Sequence, residues 1–229
     1  RTLKPEPFLQ ALIAYAKQEK NDLLYSMALG YISPAVRFLP ARPDGLEHAL
    51  WQLVTGGITP GRRLQAFRQY VSLAESEQAA AQLYQIWEKR ELEGKPLSER
   101  DEINLSYQLA IRLPEKADEI VNEQLKRISN PDRQAEYRFI SPSVSPRKEV
   151  RDSVFEALLV ADNRRIEPWA STALSLLNHR LREAESVEYI RPALEILEEV
   201  QRTGDIFFPT AWLRALLGGH SSVQARDEV

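Results

Sequence analysis

The sequence contains no cysteine, only three histidines and one methionine, and no long apolar run. The absence of cysteine excludes disulfides, thiolate metal ligands and cysteine nucleophiles. A chain without cysteine suits reducing and oxidising compartments alike, so localisation stays open between the cytoplasm and the periplasm or cell envelope. Apolar stretches fall short of the roughly 18 to 20 residues that a membrane-spanning helix needs. We therefore expect no membrane span.

The charges are nearly balanced, with 30 Lys and Arg against 33 Asp and Glu and a formal net charge of -3. A nucleic-acid partner would have to be held by a local basic patch against the overall field. The 43% hydrophobic content and the mean hydropathy of -0.40 are typical of globular proteins. We therefore expect a soluble globular protein without a nucleic-acid partner.

Prolines divide the chain at helix-sized intervals, and proline is favoured in the first turn of a helix. The prolines that mark predicted helix starts are Pro96, Pro114, Pro131, Pro146 and Pro168. Asn130, Ser145 and Ser98 supply the side-chain oxygens that accept hydrogen bonds from the first turn of a helix. These positions predict a series of helices of ordinary length.

Apolar residues recur at helical spacing between these starts, and no segment shows sustained strand-like alternation. Such stripes include Phe8, Leu12 and Tyr15; Ile103, Tyr107 and Ala110; and Val187, Ile190, Leu194 and Leu197, with Pro192 expected to kink the last helix without breaking it. Many helices joined by short turns predict an all-α fold, an α-α superhelix of stacked antiparallel pairs similar to an irregular HEAT or armadillo array. Two loop-rich segments, 40–45 and 141–146, are candidate hinges, but neither separates segments of different composition, so we predict one domain over residues 1–229.

The histidines do not form a zinc motif, because His48, His179 and His220 are far apart and H-E-x-x-H is absent. They are interpreted as capping or surface residues. Ser221 and Ser222 beside His220 resemble a nucleophile and its base only in sequence, and they are interpreted as a polar turn that opens the last helix. No catalytic, cofactor-binding or metal residue is predicted.

Three further groups of residues have both a chemical and a structural interpretation. The glycine-rich segment 55–62 could cradle phosphate, but it lacks P-loop spacing and is better explained as a helix-turn-helix connection. The carboxylate pairs Asp101 with Glu102 and Glu198 with Glu199 are interpreted as solvated faces. A basic run with interleaved aromatics could bind nucleic acid or a peptide carboxylate, although nearby acids favour ion pairs on helix surfaces; its members are Arg133, Arg138, Arg147, Lys148, Arg151, Arg164 and Arg165.

Several longer segments are specific enough to be compared with a known protein family. They are 117–121 (ADEIV), 127–133 (RISNPDR), 139–142 (FISP), 163–169 (NRRIEPW), 189–192 (YIRP), 201–209 (QRTGDIFFP) with Trp212, and 217–220 (LGGH). Together with the weaker pattern in 7–32, they resemble the C-terminal helical domain of bacterial aminopeptidase N-type zinc metallopeptidases. The resemblance covers nearly the whole chain.

The resemblance implies an upstream catalytic domain of the same polypeptide that carries H-E-x-x-H, a further Glu ligand, the zinc ion and a Gly-x-Met-Glu-Asn loop. None of these is in this sequence, whose single Met27 is followed by Ala28 and Leu29. In the family the helical domain caps the catalytic cleft, which becomes a chamber that admits short peptide substrates. This chain is therefore expected to be inactive alone and to serve as a non-catalytic part of a zinc aminopeptidase.

An alternative function is a free-standing helical scaffold that binds protein partners on a concave face. Trp169, Phe207, Phe208 and Trp212 could contact peptide in either case, but their positions in apolar helical patterns favour the core. Phe207 to Pro209 is interpreted as a hydrophobic staple leading into the helix of Trp212.

Overall fold

The computed structural model describes residues 4–39 and 41–229, and helices account for most of them. In that part of the chain the only strands are two of two residues each. The all-α class and the helical array predicted from the sequence are therefore confirmed. Pro40, in the first candidate hinge, lies outside the described residues.

Residues group into two compact units, 1–96 and 97–229. The first contains a pair of helices joined by a three-residue connection, a second pair, a fifth helix and a short hairpin. Its elements are α1 (Pro5–Gln18), α2 (Asp22–Arg37), α3 (Leu46–Thr55), α4 (Pro60–Leu73), α5 (Glu77–Lys89), β1 (Glu91–Leu92) and β2 (Lys95–Pro96). Helix α1 packs against α2, α3 against α4, and α2 also against α4.

The second unit is built around α10, which contacts α8, α9 and α14. Its helices are α6 (Glu99–Arg112), α7 (Ala117–Arg127), α8 (Pro131–Ile140), α9 (Lys148–Leu158), α10 (Glu167–Leu177), α11 (Glu183–Ser186), α12 (Ile190–Glu195), α13 (Leu197–Thr203), α14 (Phe208–Leu217) and α15 (Val223–Asp227). The core of this unit includes Leu174 and Trp212, neither of which is exposed. The expectation that both units form one domain stays a prediction.

Side-chain caps account for many of the helix starts. Asn130 accepts a hydrogen bond from the Arg133 N–H, and Ser98 accepts one from the Asp101 N–H, both as predicted. Asn21, Thr59, Ser76 and Ser222 cap α2, α4, α5 and α15 in the same way. Pro131 and Pro168 lie in the first turns of α8 and α10.

Other proline predictions need correction. Pro96 ends β2, and α6 begins three residues later. Pro146 precedes α9 by two residues, and Ser145 accepts a hydrogen bond from the Arg147 N–H without being the residue that caps the helix. Pro114 opens a 3₁₀ turn that leads into α7.

The segment around Pro192 is also broken more than the sequence predicts. A 3₁₀ turn at Val187–Tyr189 is followed by two short helices, α12 and α13, that meet at Ile196. Pro192 has no N–H to donate to the preceding turn, which accounts for the 3₁₀ turn before α12 but not for the second break at Ile196. The predicted single kinked helix is therefore wrong.

The β1–β2 hairpin was not predicted. Its two-residue turn is Glu93 and Gly94, with φ of 49° and 71°. Positive φ at both central residues is the mark of the turn that joins two twisted antiparallel strands. A Glu in that position gives little indication of it in the sequence.

The second candidate hinge, 141–146, packs in the interior. It forms a 3₁₀ turn, Ser141–Val144, in which Ser143 and Val144 are fully buried. The stripe predicted for α1 is likewise displaced, because the buried residues are Leu9 and Ala16 while Tyr15 is 46% exposed. None of the helices in the described residues is both long and apolar enough to cross a membrane.

Candidate functional site

The three histidines have separate structural roles. His48 lies on α3, exposed, with Nε2 2.8 Å from Nε2 of Gln52. His220 is buried, contrary to the expectation of a capping or surface residue, and its Nε2 lies 2.8 Å from Oδ1 of Asn178. Because the Asn178 amide nitrogen donates to Leu174 O at 2.9 Å, Oδ1 is the acceptor and His220 Nε2 carries the proton.

His179 uses both ring nitrogens. The Leu181 N–H donates to Nδ1 at 3.2 Å, so Nε2 carries the proton and donates to Oε1 of Gln108 at 3.1 Å. Burial, together with the positive charges of Arg112 and Arg182, lowers the pKa of His179 to about 3. This imidazole is a neutral cap for the turn that follows α10.

These contacts do not fit a zinc centre. A catalytic zinc needs about three converging ligands with their lone pairs free. Within residues 4–39 and 41–229 no group of three His, Cys, Asp or Glu could hold a metal ion. The nitrogen that would ligate from His179 is already an acceptor for Leu181.

The serines beside His220 form the predicted polar turn. The N–H groups of Ser221 and Ser222 both donate to Oε1 of Glu183 at 2.6 Å, and Ser222 caps α15. The Ser221 hydroxyl lies 3.3 Å from the other Glu183 oxygen. This geometry anchors the last helix and does not activate a nucleophile.

The glycine-rich segment is a helix-turn-helix connection, as predicted, and it borders a cavity of about 260 Å³ in the first unit. Residues of the last turns of α1 and α3 line this cavity. Its buried cation, Arg62, already has three acceptors within the chain: it donates to Asp22 Oδ1 at 2.6 Å, to Lys20 O at 2.5 Å and to Glu19 O. Arg62 therefore fastens the α1–α2 connection to α4, and the arrangement gives no support to phosphate binding.

The two carboxylate pairs that were predicted to be solvated differ in burial. Asp101 and Glu102 are only 4% and 2% exposed, which corrects that interpretation. Asp101 accepts a hydrogen bond from Ser98 Oγ at 2.6 Å, so its burial completes the cap of α6. In the other pair, Glu199 is the partner of Arg164.

Six of the seven members of the basic run form ion pairs, as the nearby acids indicated. Arg133 pairs with Glu99 at 2.7 Å, and Lys148 with Asp152 at 2.8 Å. Two members are buried and do not lie on helix surfaces as predicted: the side chains of Arg151 and Arg164 are 3% and 2% exposed. Arg151 donates to Ser145 O at 2.8 Å and to Glu185, and these contacts tie α9 to the turn before it and to α11.

Arg164 is the centre of a second buried contact. Its guanidinium donates to Leu158 O at 2.7 Å and to Glu199 at 2.8 Å, and it lies 5.5 Å from the ring centroid of Trp212. Trp212 in turn donates to Ala193 O at 3.1 Å. One side chain thus connects α9, α13 and α14.

Two of the four aromatics predicted for the core are fully buried, namely Phe208 and Trp212. Trp169 is partly buried against Phe139, with ring centroids 5.8 Å apart. Phe207 is 76% exposed, so it does not form the predicted staple. It precedes the first turn of α14, where its neighbour Phe208 enters the core.

A smaller cavity, of about 110 Å³, lies between α6, α8 and α10. Helix α6 lines it with Arg100, Ile103, Asn104 and Tyr107, and α8 with Arg133, Glu136, Tyr137 and Ile140; Thr172 comes from α10. Both sets have the spacing i, i+3, i+4, i+7, so each helix presents one face to the cavity. The Tyr107 and Tyr137 rings stack there with centroids 5.0 Å apart. Sequence reasoning assigned Tyr107 to the core and missed this cavity.

Helix α2 exposes an apolar stripe at helical spacing. Leu23, Met27 and Tyr31 are 69%, 49% and 53% exposed, and Phe38 just beyond the helix is 74% exposed. No charged residue lies between Asp22 and Arg37. The edge-to-face contact of Tyr31 with Phe8, at 6.5 Å between centroids, extends the stripe to α1.

Comparison of the chain with protein-family models, curated proteins and solved structures found no match.

Proposed function

We propose that this chain is the non-catalytic helical domain of a zinc metallo-aminopeptidase, which caps the catalytic cleft and limits access to it. The zinc and the catalytic residues would belong to an upstream domain of the same polypeptide. The chain itself would form one wall of the chamber over the catalytic cleft. Its partners would be the catalytic domain and the peptide substrates. A wall of this kind favours short peptides by size and excludes water from the reaction.

One observation supports the proposal most directly. Two segments that carry the family resemblance, 163–169 and 201–209, meet in the second unit, where Glu167 Oε1 accepts a hydrogen bond from the Asp205 N–H at 2.8 Å. Arg164, in the first of them, is one of the most buried cations of the unit. The resembling residues therefore serve the helical framework, as expected of a domain that supports catalysis without performing it.

The experiment is cleavage of aminoacyl-arylamide substrates by this purified chain and by the protein from the full reading frame, each with and without a zinc chelator. Zinc is then added back to the chelated samples as the control. We expect chelator-sensitive activity in the longer protein alone. Activity in the short chain, or none in either protein, would overturn the proposal.

The exposed stripe of α2 favours a second candidate, a free-standing scaffold that binds protein partners. Contiguous exposed apolar surface is characteristic of interaction sites. The two candidates differ in what covers Leu23, Met27 and Tyr31: a domain of the same polypeptide, or a separate protein. Hydrogen exchange of α2 in the long protein and in this chain distinguishes them, because only the first candidate predicts stronger protection in the long protein without any added partner.

A further inference from the structure

Met27 carries the only sulfur atom of the sequence, which contains one methionine and no cysteine. The residue lies on α2 and is 49% exposed. Mild oxidants such as hydrogen peroxide react with sulfur, and the extent of the reaction follows the exposure of the sulfur to solvent. Because no thiol competes for the oxidant, such an oxidation of this chain falls on a single side chain.

Met27 is the middle member of the exposed stripe of α2. Leu23 lies four residues before it and Tyr31 four residues after it, with exposures of 69% and 53%. Residues four apart share one face of a helix. The helix turns other residues, among them Ala28 and Leu29, towards the core. A change of polarity at Met27 therefore alters the stripe and leaves the core of the first unit intact.

We propose that Met27 is a reversible oxidation site that sets the polarity of this stripe. Its thioether sulfur attacks one oxygen of hydrogen peroxide: an S–O bond forms, the O–O bond breaks, and the second oxygen leaves as water with both protons. The sulfur is oxidised by two electrons and the peroxide is reduced by two. The product is a methionine sulfoxide, whose oxygen is a polar group in the middle of a surface that was apolar.

The sulfoxide weakens any contact that covers the stripe with an apolar surface. A polar group that is buried without a hydrogen-bond partner is unfavourable, and no charged residue lies between Asp22 and Arg37 on this helix to donate to it. The proposal rests on neither candidate function, because a catalytic domain and a separate protein partner would both cover the same side chains.

The exposure of Met27 also makes the change reversible. Two classes of methionine sulfoxide reductase, one for each epimer of the sulfoxide, return the thioether. These enzymes can reach Met27 without unfolding α2, because the flanking members of the stripe are exposed as well.

The first test measures whether the folded chain reacts at this position. The purified chain is treated with hydrogen peroxide, once folded and once in urea, and the oxidation is located by peptide mass mapping. We expect one added oxygen, on Met27, at a rate within about tenfold of that of the unfolded chain. The melting temperature should change by less than about 2 °C, as for other surface changes. A slower reaction of the folded chain, or a larger loss of stability on oxidation, would contradict the proposal.

The second test measures the polarity of the surface by elution from a phenyl hydrophobic-interaction column. The oxidised chain should elute earlier than the parent, and both reductases together should restore the elution of the parent. Met27→Gln places a permanent amide at this position and should elute early without peroxide. Met27→Leu, a volume-conserving change, is the matched control, and peroxide should not alter its elution. Co-elution of the oxidised chain with the parent, or an equal shift in Met27→Leu, would overturn the proposal.

Discussion

Gly219 passes against the backbone of Asn178 so closely that a Cβ atom on the glycine would lie 1.7 Å from the Asn178 carbonyl oxygen. The same atom would be 2.9 Å from the Arg180 nitrogen, so backbone approaches it on more than one side. The neighbouring His220 also reaches Asn178, at 2.8 Å. The turn after α14 is thus joined to the end of α10 by close packing and by a buried hydrogen bond.

We therefore expect Gly219→Ala to destabilise the protein, by about 1–3 kcal/mol as for other overpacked sites. The Asn178 backbone cannot move away from the added methyl group as a flexible side chain could. Gly30→Ala is the matched control, because nothing lies within 4 Å of a Cβ there and the residue is exposed in α2. That control should stabilise α2 by about 0.5–1 kcal/mol. Urea unfolding followed by circular dichroism measures both, and a Gly219→Ala protein as stable as the parent would contradict this packing.

Arg164 and Arg165 are adjacent arginines with opposite expected effects. The Arg164 side chain is 2% exposed and joins Leu158, Glu199 and Trp212, whereas that of Arg165 is 76% exposed and pairs with an equally exposed Asp162. Removing one partner of a fully buried pair costs about 3–5 kcal/mol. Because Glu199 is 30% exposed and keeps some water, we expect about 2–3 kcal/mol for Arg164→Met.

Arg165→Met should change the free energy of unfolding by less than about 0.5 kcal/mol, as for other surface pairs. Urea unfolding followed by the fluorescence of the four tryptophans gives the free energy of unfolding for both variants. Comparable losses for the two methionine variants would show that the Arg164 contacts contribute nothing specific.

Features that depend on residues close together in the sequence were predictable. Contacts between residues far apart in the sequence were not. The cap at Asn130 and the turn at 55–62 depend on neighbours within a few residues, and both predictions are confirmed. The burial of Arg62 depends on Asp22, 40 residues earlier, and no pattern within α4 indicates it. Phe207 and Phe208 are indistinguishable as residue types, yet only the second enters the core.

The small cavity between α6, α8 and α10 likewise combines features that the sequence indicates with features that it does not. The two faces that line the small cavity have helical spacing and could be recognised separately. Their meeting depends on α6 and α8 lying next to each other, with Glu99 and Arg133 paired 34 residues apart. The buried Tyr107 hydroxyl, which makes no hydrogen bond within the described residues, has no mark in the sequence, because it is defined by what is absent around it.

His179 should make stability depend on pH. Its pKa is lowered from 6.5 to about 3 by burial and by two arginines, so the unfolded chain binds a proton between these values and the folded protein does not. This contribution is fully present above about pH 6.5 and is lost as the pH falls towards 3, with a slope of at most about 1.4 kcal/mol per pH unit. His179→Gln should flatten the decline, while His48→Gln, at an exposed site, should not. Melting temperatures between pH 4 and 7 provide the measurement, and equal slopes in the parent and His179→Gln would contradict the assigned environment.

The expectation of one domain over residues 1–229 predicts one cooperative transition. Each unit has its own buried core, marked by Leu50 in α3 and Leu174 in α10, so compactness alone would permit separate unfolding. Hydrogen exchange measured by mass spectrometry at increasing urea reports on both units in the intact chain, without removing either. Under the one-domain prediction α3 and α10 lose protection at the same urea concentration. Loss of one at lower urea, with the other still protected, would show two domains, and the boundary would then fall near Pro96, where the two units meet in sequence.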